Sequence, residues 1–247
     1  MSLEEPTAER SQELISNYEK ALQQVNEYAA KRPSNLSHKV ELVAVSKLKP
    51  ASDIKALYDH GVRHFGENYV QELIGKAKVL PKDIKWHFIG GLQTNKCKDL
   101  STNIPNLYSV ETIDTLKKAK KLNDTREGSE IINVFLQINA SGEEQKSGLS
   151  VSDKETLKEV VQYLLKDAKN LNLQGLMTIG SYEQSISEGE NQDFKTMATL
   201  KDELDQEFSI NLQLSMGMSS DFKQAINQGS SFVRIGTDIF GQRPLKN

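Results

Sequence analysis

The sequence predicts a single α/β domain, namely a closed (β/α)8 TIM barrel with an additional N-terminal helix. Eight short apolar segments alternate along the chain with segments of helical periodicity, and such strict alternation is typical of a parallel sheet. The chain has 247 residues, and single barrels of this kind commonly contain about 250. Eight strand–helix units in about 200 residues fit a closed barrel better than an open six-stranded sheet. We therefore expect one domain over residues 1–247, with the extra helix in residues 1–32 and the barrel in residues 41–240.

Apolar side chains at helical spacing predict the N-terminal helix over about residues 11–30. The eight predicted strands are short apolar runs bounded by turn residues, at residues 41–46, 62–65, 84–89, 107–110, 131–138, 173–179, 212–216 and 231–235. A helix is predicted after each of the first seven strands. Asn68 is expected to cap the second of these helices, and the fourth is expected to begin near Ile113. The longest loops, 139–150 and 180–192, follow the fifth and sixth strands and are expected at one mouth of the barrel.

The composition is that of an ordinary globular protein without a strong electrostatic field. Its 31 basic and 34 acidic side chains give a net charge of −3, which favours neither nucleic acid nor an anionic membrane as a partner. Cys97 is the single cysteine, which excludes an internal disulfide and a CxxC metal site and fits a reducing compartment. The first residues lack the apolar core of a secretory signal, and no run approaches about 18 apolar residues. We expect a cytoplasmic protein that can also occupy the nucleus.

Lys47 stands directly after the first predicted strand, whose residues 42–46 are apolar or small, as in a strand buried on both faces. The carboxyl ends of barrel strands carry the functional residues, and a lysine can hold a carbonyl compound as a Schiff base. The alternative, which applies to most lysines, is a side chain that extends into solvent. Lys47 is therefore a candidate binding residue whose role depends on its neighbours at the barrel mouth.

The loops after the seventh and eighth strands have the composition of an anion-binding site. They read Ser-Met-Gly-Met-Ser-Ser at 215–220 and Arg-Ile-Gly-Thr at 234–237, and barrels often bind phosphate at these two positions. Small residues let backbone N–H groups approach an anion, and the hydroxyls of Ser215, Ser219 and Thr237 can donate to it. A helix that starts after Ser219 adds its positive end. The alternative is an ordinary helix cap and turn.

Arg234 lies among the apolar residues of the eighth strand, so we expect it to be buried and to face the barrel interior. It either pairs with Glu67 or Asp238, or donates a hydrogen bond to a ring nitrogen of a ligand. An aldehyde-seeking lysine, a phosphate cradle and an arginine for a pyridine nitrogen together describe a pyridoxal phosphate site. Because arginine stays protonated, it leaves that nitrogen neutral, which disfavours strong carbanion chemistry. His87, in the third strand, is either a satisfied core histidine or a ligand contact.

Several segments resemble those of the pyridoxal phosphate homeostasis proteins, from about Glu41 to Pro244. These segments are residues 45–47 (VSK), 65–72 (FGENYVQE), 86–90 (WHFIG), 93–96 (QTNK), 146–148 (KSG), 175–177 (GLM), 214–219 (LSMGMS) and 233–237 (VRIGT). The resemblance implies the barrel of the alanine racemase N-terminal domain, with pyridoxal 5'-phosphate bound covalently to Lys47 as a Schiff base. It also implies a set of contacts: Ser215, Met218, Ser219, Gly236 and Thr237 on the phosphate side, Arg234 at the pyridine nitrogen, and Asn68 and His87 beside the ring.

The resemblance further implies a role in cofactor homeostasis without catalysis, since that family has no established catalytic activity. We expect a monomer that binds the cofactor and has apo-enzymes dependent on pyridoxal phosphate as recipients. An alternative is an amino-acid racemase, or a weak side activity of that type. Racemases of this fold take a second base from a β-rich domain, whereas only about ten residues follow Thr237. A third possibility is an aldolase-like barrel that uses Lys47 directly on a sugar phosphate.

Overall fold

The computed structural model describes residues 3–126 and 130–243 and confirms the barrel. Its eight parallel strands are β1 (Glu41–Val45), β2 (His64–Glu67), β3 (Lys85–Phe88), β4 (Leu107–Ile113), β5 (Ile132–Asn139), β6 (Leu171–Met177), β7 (Gln213–Ser215) and β8 (Phe232–Ile235). Each strand pairs with the next, and β8 pairs with β1, so the sheet closes. Both ends of the expected domain, and Pro244 at the expected end of the resemblance, lie outside the described residues.

Helices alternate with the strands around the barrel. They are α1 (Ala8–Lys31), α2 (Ala51–Asp59), α3 (Val70–Val79), α4 (Cys97–Asn103), α5 (Leu116–Thr125), α6 (Lys154–Lys166), α7 (Tyr182–Ile186), α8 (Gln192–Phe208), α9 (Phe222–Asn227) and α10 (Thr237–Phe240). The N-terminal helix is longer than predicted, because Thr7 caps it by accepting a hydrogen bond from the backbone of Arg10. Within the described ranges, no helix combines the length and the apolar character that crossing a membrane requires.

The fourth strand extends further than the sequence predicts. It runs to Ile113, which pairs with Leu136 of β5 beyond an irregularity in the register. The prediction that a helix begins near Ile113 is therefore wrong, and α5 begins at Leu116 with Thr115 as its cap. The extension matters because it carries Glu111 into the barrel interior, where its side chain is fully buried.

Two groups of apolar side chains form the core. The larger group lies between the strands and the surrounding helices, where every second strand residue faces outward. The smaller group lies inside the barrel and consists of Val43, Phe135, Met177 and Phe232, packed against Tyr108. The rest of the interior contains buried polar and charged side chains, and these connect to the mouth of the barrel.

Helix α1 joins the last unit of the barrel to the first. Its buried face consists of Leu14, Tyr18, Ala21 and Val25, and full burial of one such aliphatic side chain contributes roughly 1.5–3 kcal/mol. Arg10 donates to Asp53 of α2 at 2.7 Å and to the carbonyl oxygen of Phe240 in α10 at 2.9 Å. The helices that follow β1 and β8 are therefore tied together, and both strands end at the predicted site.

Candidate functional site

Lys47 lies in a cavity of about 280 Å³ at the mouth of the barrel. The side chain is half-buried and follows directly on the buried Ser46. Of the nine residues that the sequence analysis selects, the structure brings seven together around this cavity: Lys47, Asn68, Met218, Ser219, Arg234, Gly236 and Thr237. The other two, His87 and Ser215, are completely buried in the barrel interior.

The turn that carries Lys47 has an unusual backbone conformation. Leu48 has φ of 61°, in the left-handed region that is disfavoured by roughly 1–2 kcal/mol for a residue with a Cβ atom. The N–H of Leu48 donates to Oε1 of Glu72 at 2.7 Å. Strained residues of this kind persist when their surroundings fix them, and here the carboxylate of Glu72 holds the turn that presents Lys47.

A buried group of charges supports the same turn from below. Lys76 donates from Nζ to the carbonyl oxygen of Ser46 at 2.9 Å, and also to Glu67 at 2.5 Å and Glu72 at 2.6 Å. The hydroxyl of Ser46 donates to Glu67 at 2.8 Å. Burial raises the pKa of Glu67 to about 7, although the charge of Lys76 opposes this rise. Lys76, Glu67 and Glu72 thus fix the backbone on both sides of Lys47.

The surroundings of Lys47 favour its neutral amine. Burial is the main cause that lowers its pKa below the ordinary value, and the positive charges of Arg243 and Arg234 lower it further, against weaker effects of Glu67 and Glu72. A neutral amine is the form of lysine that attacks a carbonyl carbon. The lowered pKa therefore raises the fraction of the Lys47 amine that can react with an aldehyde or ketone.

Arg234 is 3% exposed and lines the cavity from the end of β8. It donates from Nη1 to the hydroxyl of Ser215 at 2.7 Å and from Nη2 to the carbonyl oxygen of Thr178 at 2.8 Å. The prediction of a buried, inward-facing arginine is confirmed. Neither of the two partners proposed from the sequence pairs with it in the described structure: Glu67 pairs with Lys76, and Asp238 is exposed.

A chain of hydrogen bonds runs from Arg234 into the barrel. Ser215 donates to Oε1 of Glu111 at 2.5 Å, Oε2 of Glu111 lies 2.8 Å from Nδ1 of His87, and Nε2 of His87 lies 2.8 Å from Nδ1 of His64. Burial alone would raise the pKa of Glu111, but the hydrogen bond and charge of His87 and the charge of Arg234 hold it below its usual value. Burial, with the charges of His87 and Lys85, lowers the pKa of His64 to about 3. This series of hydrogen bonds thus contains an ionised Glu111 and a neutral His64.

The structure places His87 and Ser215 in the barrel interior, and for His87 this is one of the two positions that the sequence left open. Both stand near the carboxyl ends of strands, which is why the sequence suggests ligand contacts. In the structure Nδ1 of His87 and Oγ of Ser215 bind Glu111, and Nε2 of His87 binds His64. The hydroxyl of Ser215 bridges Arg234 and Glu111, and its expected phosphate contact stays a prediction. Within the described residues His87 is a satisfied core histidine, joined to the cavity wall through Glu111, Ser215 and Arg234.

Asn68 does not cap a helix, which corrects the prediction. Helix α3 begins two residues later, after Tyr69, with no side-chain cap. The Asn68 side chain lines the cavity, and its buried Oδ1 has no hydrogen-bond partner within the described ranges. Its backbone lies so close to Gly90 that a Cβ atom at Gly90 would be 1.9 Å from the Asn68 carbonyl oxygen. Gly90 therefore allows Asn68 to stand at the mouth with its amide available.

The loop after β7 differs in detail from the predicted anion cradle. The N–H of Met218 donates to Oδ1 of the buried Asp221 at 2.7 Å, so it is not free for an anion. Helix α9 begins only at Phe222. The hydroxyl-bearing side chains of Ser219 and Thr237 remain on the cavity wall as predicted.

Six further residues line the cavity that the sequence analysis does not select: Val45, Ile89, Met177, Ile179, Ser220 and Arg243. The four apolar ones stand at or just beyond the ends of β1, β3 and β6. Their position at the ends of predicted strands is the feature of the sequence that could have indicated them as lining residues. Arg243 follows the last helix, and nothing in the pattern of the tail indicates that its charge acts on Lys47.

Comparison with known proteins identifies the family. The family model of the alanine racemase N-terminal domain matches residues 17–244. The chain is 50% identical, over 208 residues, to the pyridoxal phosphate homeostasis protein of Schizosaccharomyces pombe, covering 84% of this chain and 86% of that protein. The chain belongs to the pyridoxal phosphate homeostasis protein family. The Homo sapiens member is 46% identical over 233 residues, which cover 90% of this chain and 83% of that protein.

Solved structures place this family member among barrels of the same fold. Two structures of PipY from Synechococcus elongatus PCC7942, one without and one with PLP bound, are 30% identical to it, with TM-scores of 0.70 and 0.68. Each of the two alignments covers 89% of this chain and 99% of the PipY chain. Alanine racemase from Clostridium difficile 630 has a TM-score of 0.69 and 17% identity, over 95% of this chain and 60% of that chain. At that identity the likeness concerns the fold alone.

Proposed function

We propose that this protein binds pyridoxal 5'-phosphate in the Lys47 cavity, holds it as a Schiff base on Lys47, and serves the homeostasis of the cofactor rather than a reaction of it. The observation that carries the proposal is the presence of Lys47, Arg234 and the hydroxyl-bearing loops of Ser219 and Thr237 around one cavity. The PLP-bound structure of PipY, at 30% identity, supports it.

The residues present fit the cofactor. When bound, pyridoxal phosphate supplies an aldehyde for an amine and a ring that can accept electrons. Lys47 provides an amine whose pKa is lowered by burial. Ser219, Thr237 and the backbone at Gly236 provide the phosphate side, and Asn68 provides an amide whose buried Oδ1 has no partner in the described protein. Arg234, held by Ser215 and Thr178, lines the same cavity and would be the donor to the pyridine nitrogen.

The cavity wall also explains why binding is proposed without catalysis. Arg234 keeps its proton, so a ring nitrogen that accepts its hydrogen bond stays neutral and withdraws electrons only weakly. Within the described residues, no histidine, tyrosine, cysteine or carboxylate lines the cavity. A racemase requires an acid and a base on opposite faces of its substrate, and this wall offers Lys47 alone. We therefore propose a carrier that delivers the cofactor to apo-enzymes, and we further propose that it is cytoplasmic and monomeric.

The test compares Lys47→Ala with Lys49→Ala. Lys49 is a matched control two residues away, since it does not line the cavity and its Nζ donates to the carbonyl oxygen of Gln242 at 2.6 Å. The wild type and Lys49→Ala should develop a visible absorption band with the cofactor, and borohydride reduction should add its mass to the peptide that contains Lys47. Lys47→Ala should do neither. A wild type without the band, at excess cofactor, would refute the proposal.

Two further measurements separate the proposed role from its alternative. The loaded protein should transfer its cofactor to an apo-enzyme faster than the same amount of cofactor in free solution allows. It should not racemise L-alanine at a rate that a dedicated enzyme reaches, which is commonly about 1–1,000 per second. Rapid racemisation would favour the racemase, and transfer no faster than in free solution would contradict a carrier.

A further inference from the structure

A second cavity, which we call the side chamber, adjoins the Lys47 cavity at the barrel mouth. It has a volume of about 320 Å³ and shares Asn68, Ile89 and Ile179 with the Lys47 cavity. The rest of its wall comes from the residues after β3, the ends of β4 and β5 and the loop after β5. Neither Lys47 nor Arg234 lines it, so it lies beside the Lys47 cavity and shares one wall with it.

The side chamber contains polar atoms that lack partners. Thr112, at the end of β4, is 2% exposed, and its Oγ1 has no hydrogen-bond partner in the described protein. Asn68, on the common wall, has a buried Oδ1 that also lacks a hydrogen-bond partner within the described residues. Buried polar atoms in folded proteins nearly always have a partner. Two such atoms on the wall of one small chamber leave positions at which a polar ligand can form hydrogen bonds.

The charge on the wall indicates an anionic group in that ligand. Lys146 is the one charged residue that lines the side chamber within the described ranges. Its partner Glu143, at 2.5 Å, does not line the chamber, and this ion pair is partly exposed to solvent, a setting in which ion pairs are weak. The wall therefore offers a cation and the hydroxyls of Thr112 and Ser147 without a carboxylate, which suits a carboxylate on the ligand.

The loop that carries Lys146 and Ser147 is fixed to the barrel. The residues that follow, Leu149–Ser150, form a two-residue strand paired with the end of β5. Gly148 has φ of 124°, and a Cβ atom there would lie 2.6 Å from the backbone nitrogen of Asn139. Only glycine permits this combination of angle and approach, so the local sequence holds Lys146 and Ser147 against the chamber.

We propose that the side chamber binds a small α-amino acid, with its carboxylate at Lys146, Thr112 and Ser147 and its ammonium group at Oδ1 of Asn68. An ammonium group suits this position because Oδ1 accepts hydrogen bonds only, and a 2-oxo acid offers it no donor. The ammonium contact uses Asn68, which also lines the proposed cofactor site, whereas the carboxylate contacts at Lys146, Thr112 and Ser147 belong to the side chamber alone.

The test measures the binding of L-alanine to the full chain by calorimetry, before and after loading with pyridoxal phosphate. Lys146→Gln should weaken binding about tenfold or more, because it removes the charge that meets the carboxylate. Thr112→Val keeps the shape of the side chain and should weaken binding several-fold. Lys195→Gln is the control, since it breaks a surface pair with Glu190 and should leave the affinity unchanged.

Ligands that lack one group each complete the test. Propionate, which lacks the ammonium group, and L-alaninamide, which lacks the carboxylate, should each bind at least about tenfold more weakly than L-alanine. The proposal is overturned if L-alanine does not bind the wild type, if it binds both variants with wild-type affinity, or if inorganic phosphate displaces it more readily than propionate does. Thr112→Val should keep the visible band of the cofactor. The test can therefore contradict the proposal for the side chamber without contradicting the proposed cofactor site.

Discussion

Arg234 and Glu111 are joined through a single hydroxyl group. Nη1 of Arg234 donates to Oγ of Ser215 at 2.7 Å, and Oγ of Ser215 donates to Oε1 of Glu111 at 2.5 Å. Both charged side chains are buried, and the attraction between them lowers the pKa of Glu111, together with the stronger effect of His87. The arginine of the cavity is thus one end of a buried charge pair, and a substitution there acts on Glu111 as well.

Arg234→Glu is therefore expected to destabilise the protein by about 3–5 kcal/mol, as for other buried pairs that lose one partner. The change removes the cation and leaves two carboxylates facing one hydroxyl. Adding Glu111→Gln should restore part of the loss, because it removes the repulsion. Urea denaturation of the wild type, both single variants and the double variant measures the coupling. Purely additive effects would show that the two side chains do not interact.

Glu67 should make the protein less stable as the pH rises. Its pKa is raised from 4.5 to about 7 in the folded state, so between these values the folded protein binds more protons than the unfolded chain. The free energy of unfolding should therefore fall with pH across this window, by up to about 1.4 kcal/mol per pH unit. Glu67→Gln should remove this slope. Denaturation at several pH values measures the difference between the two proteins, and parallel curves would contradict the shift.

His64 should make the protein more stable as the pH rises, over a pH range that overlaps with that of Glu67. Its pKa is lowered from 6.5 to about 3 in the folded state, so the unfolded chain binds the extra proton as the pH falls below 6.5. Its contribution to stability is present above that pH and is lost towards pH 3, again by up to about 1.4 kcal/mol per pH unit. The difference between the wild type and His64→Gln isolates it. A constant difference from pH 4 to pH 6 would contradict a neutral, buried His64.

The sequence predicts the barrel and most of the Lys47 cavity because these depend on local patterns. Apolar runs mark the strands, and strand ends converge at one mouth, so Lys47, Ser219 and Thr237 could be placed together in advance. Glu111 could not be found in this way. Its contact with Ser215 joins positions 104 residues apart, and it depends on an irregular register that extends β4 beyond its apolar run.

The same limit applies to residues whose surroundings the sequence does not settle. A strand-end position does not tell whether a side chain faces the cavity or lies behind another side chain. Ser215 lies behind Arg234, and His87 lies behind Glu111. Lys76 looks like a surface lysine of an amphipathic helix, yet it is 7% exposed because its charge is matched by Glu67 and Glu72.

Arg243→Gln should raise the pKa of Lys47 and slow its reaction with an aldehyde. The positive charge of Arg243 is the second cause, after burial, that lowers this pKa, so its removal leaves less neutral amine at a given pH. The rate of cofactor uptake, followed by the visible band, should then rise with pH along a curve displaced to higher pH. Lys158→Gln, which alters a surface pair with Glu207, is the control. A pH profile that does not move would show that Arg243 has no electrostatic effect on Lys47.

Substitutions of Leu48 test whether the turn that presents Lys47 is strained. Leu48 has φ of 61° and is 39% exposed, so its substitution removes little apolar contact. Asparagine tolerates the left-handed region, whereas a β-branched residue is strongly disfavoured there. Leu48→Asn should therefore leave the free energy of unfolding unchanged or raise it by up to about 1 kcal/mol, and Leu48→Val should lower it by about 1 kcal/mol or more.

The same pair of variants reports on the cofactor site. Both keep the backbone N–H that donates to Glu72, so a difference between them comes from the backbone angle and not from a lost donor. Leu48→Val should shift the turn and slow cofactor uptake by Lys47, while Leu48→Asn should take up the cofactor as the wild type does. Equal stability and equal uptake in the two variants would show that the left-handed turn is not what positions Lys47.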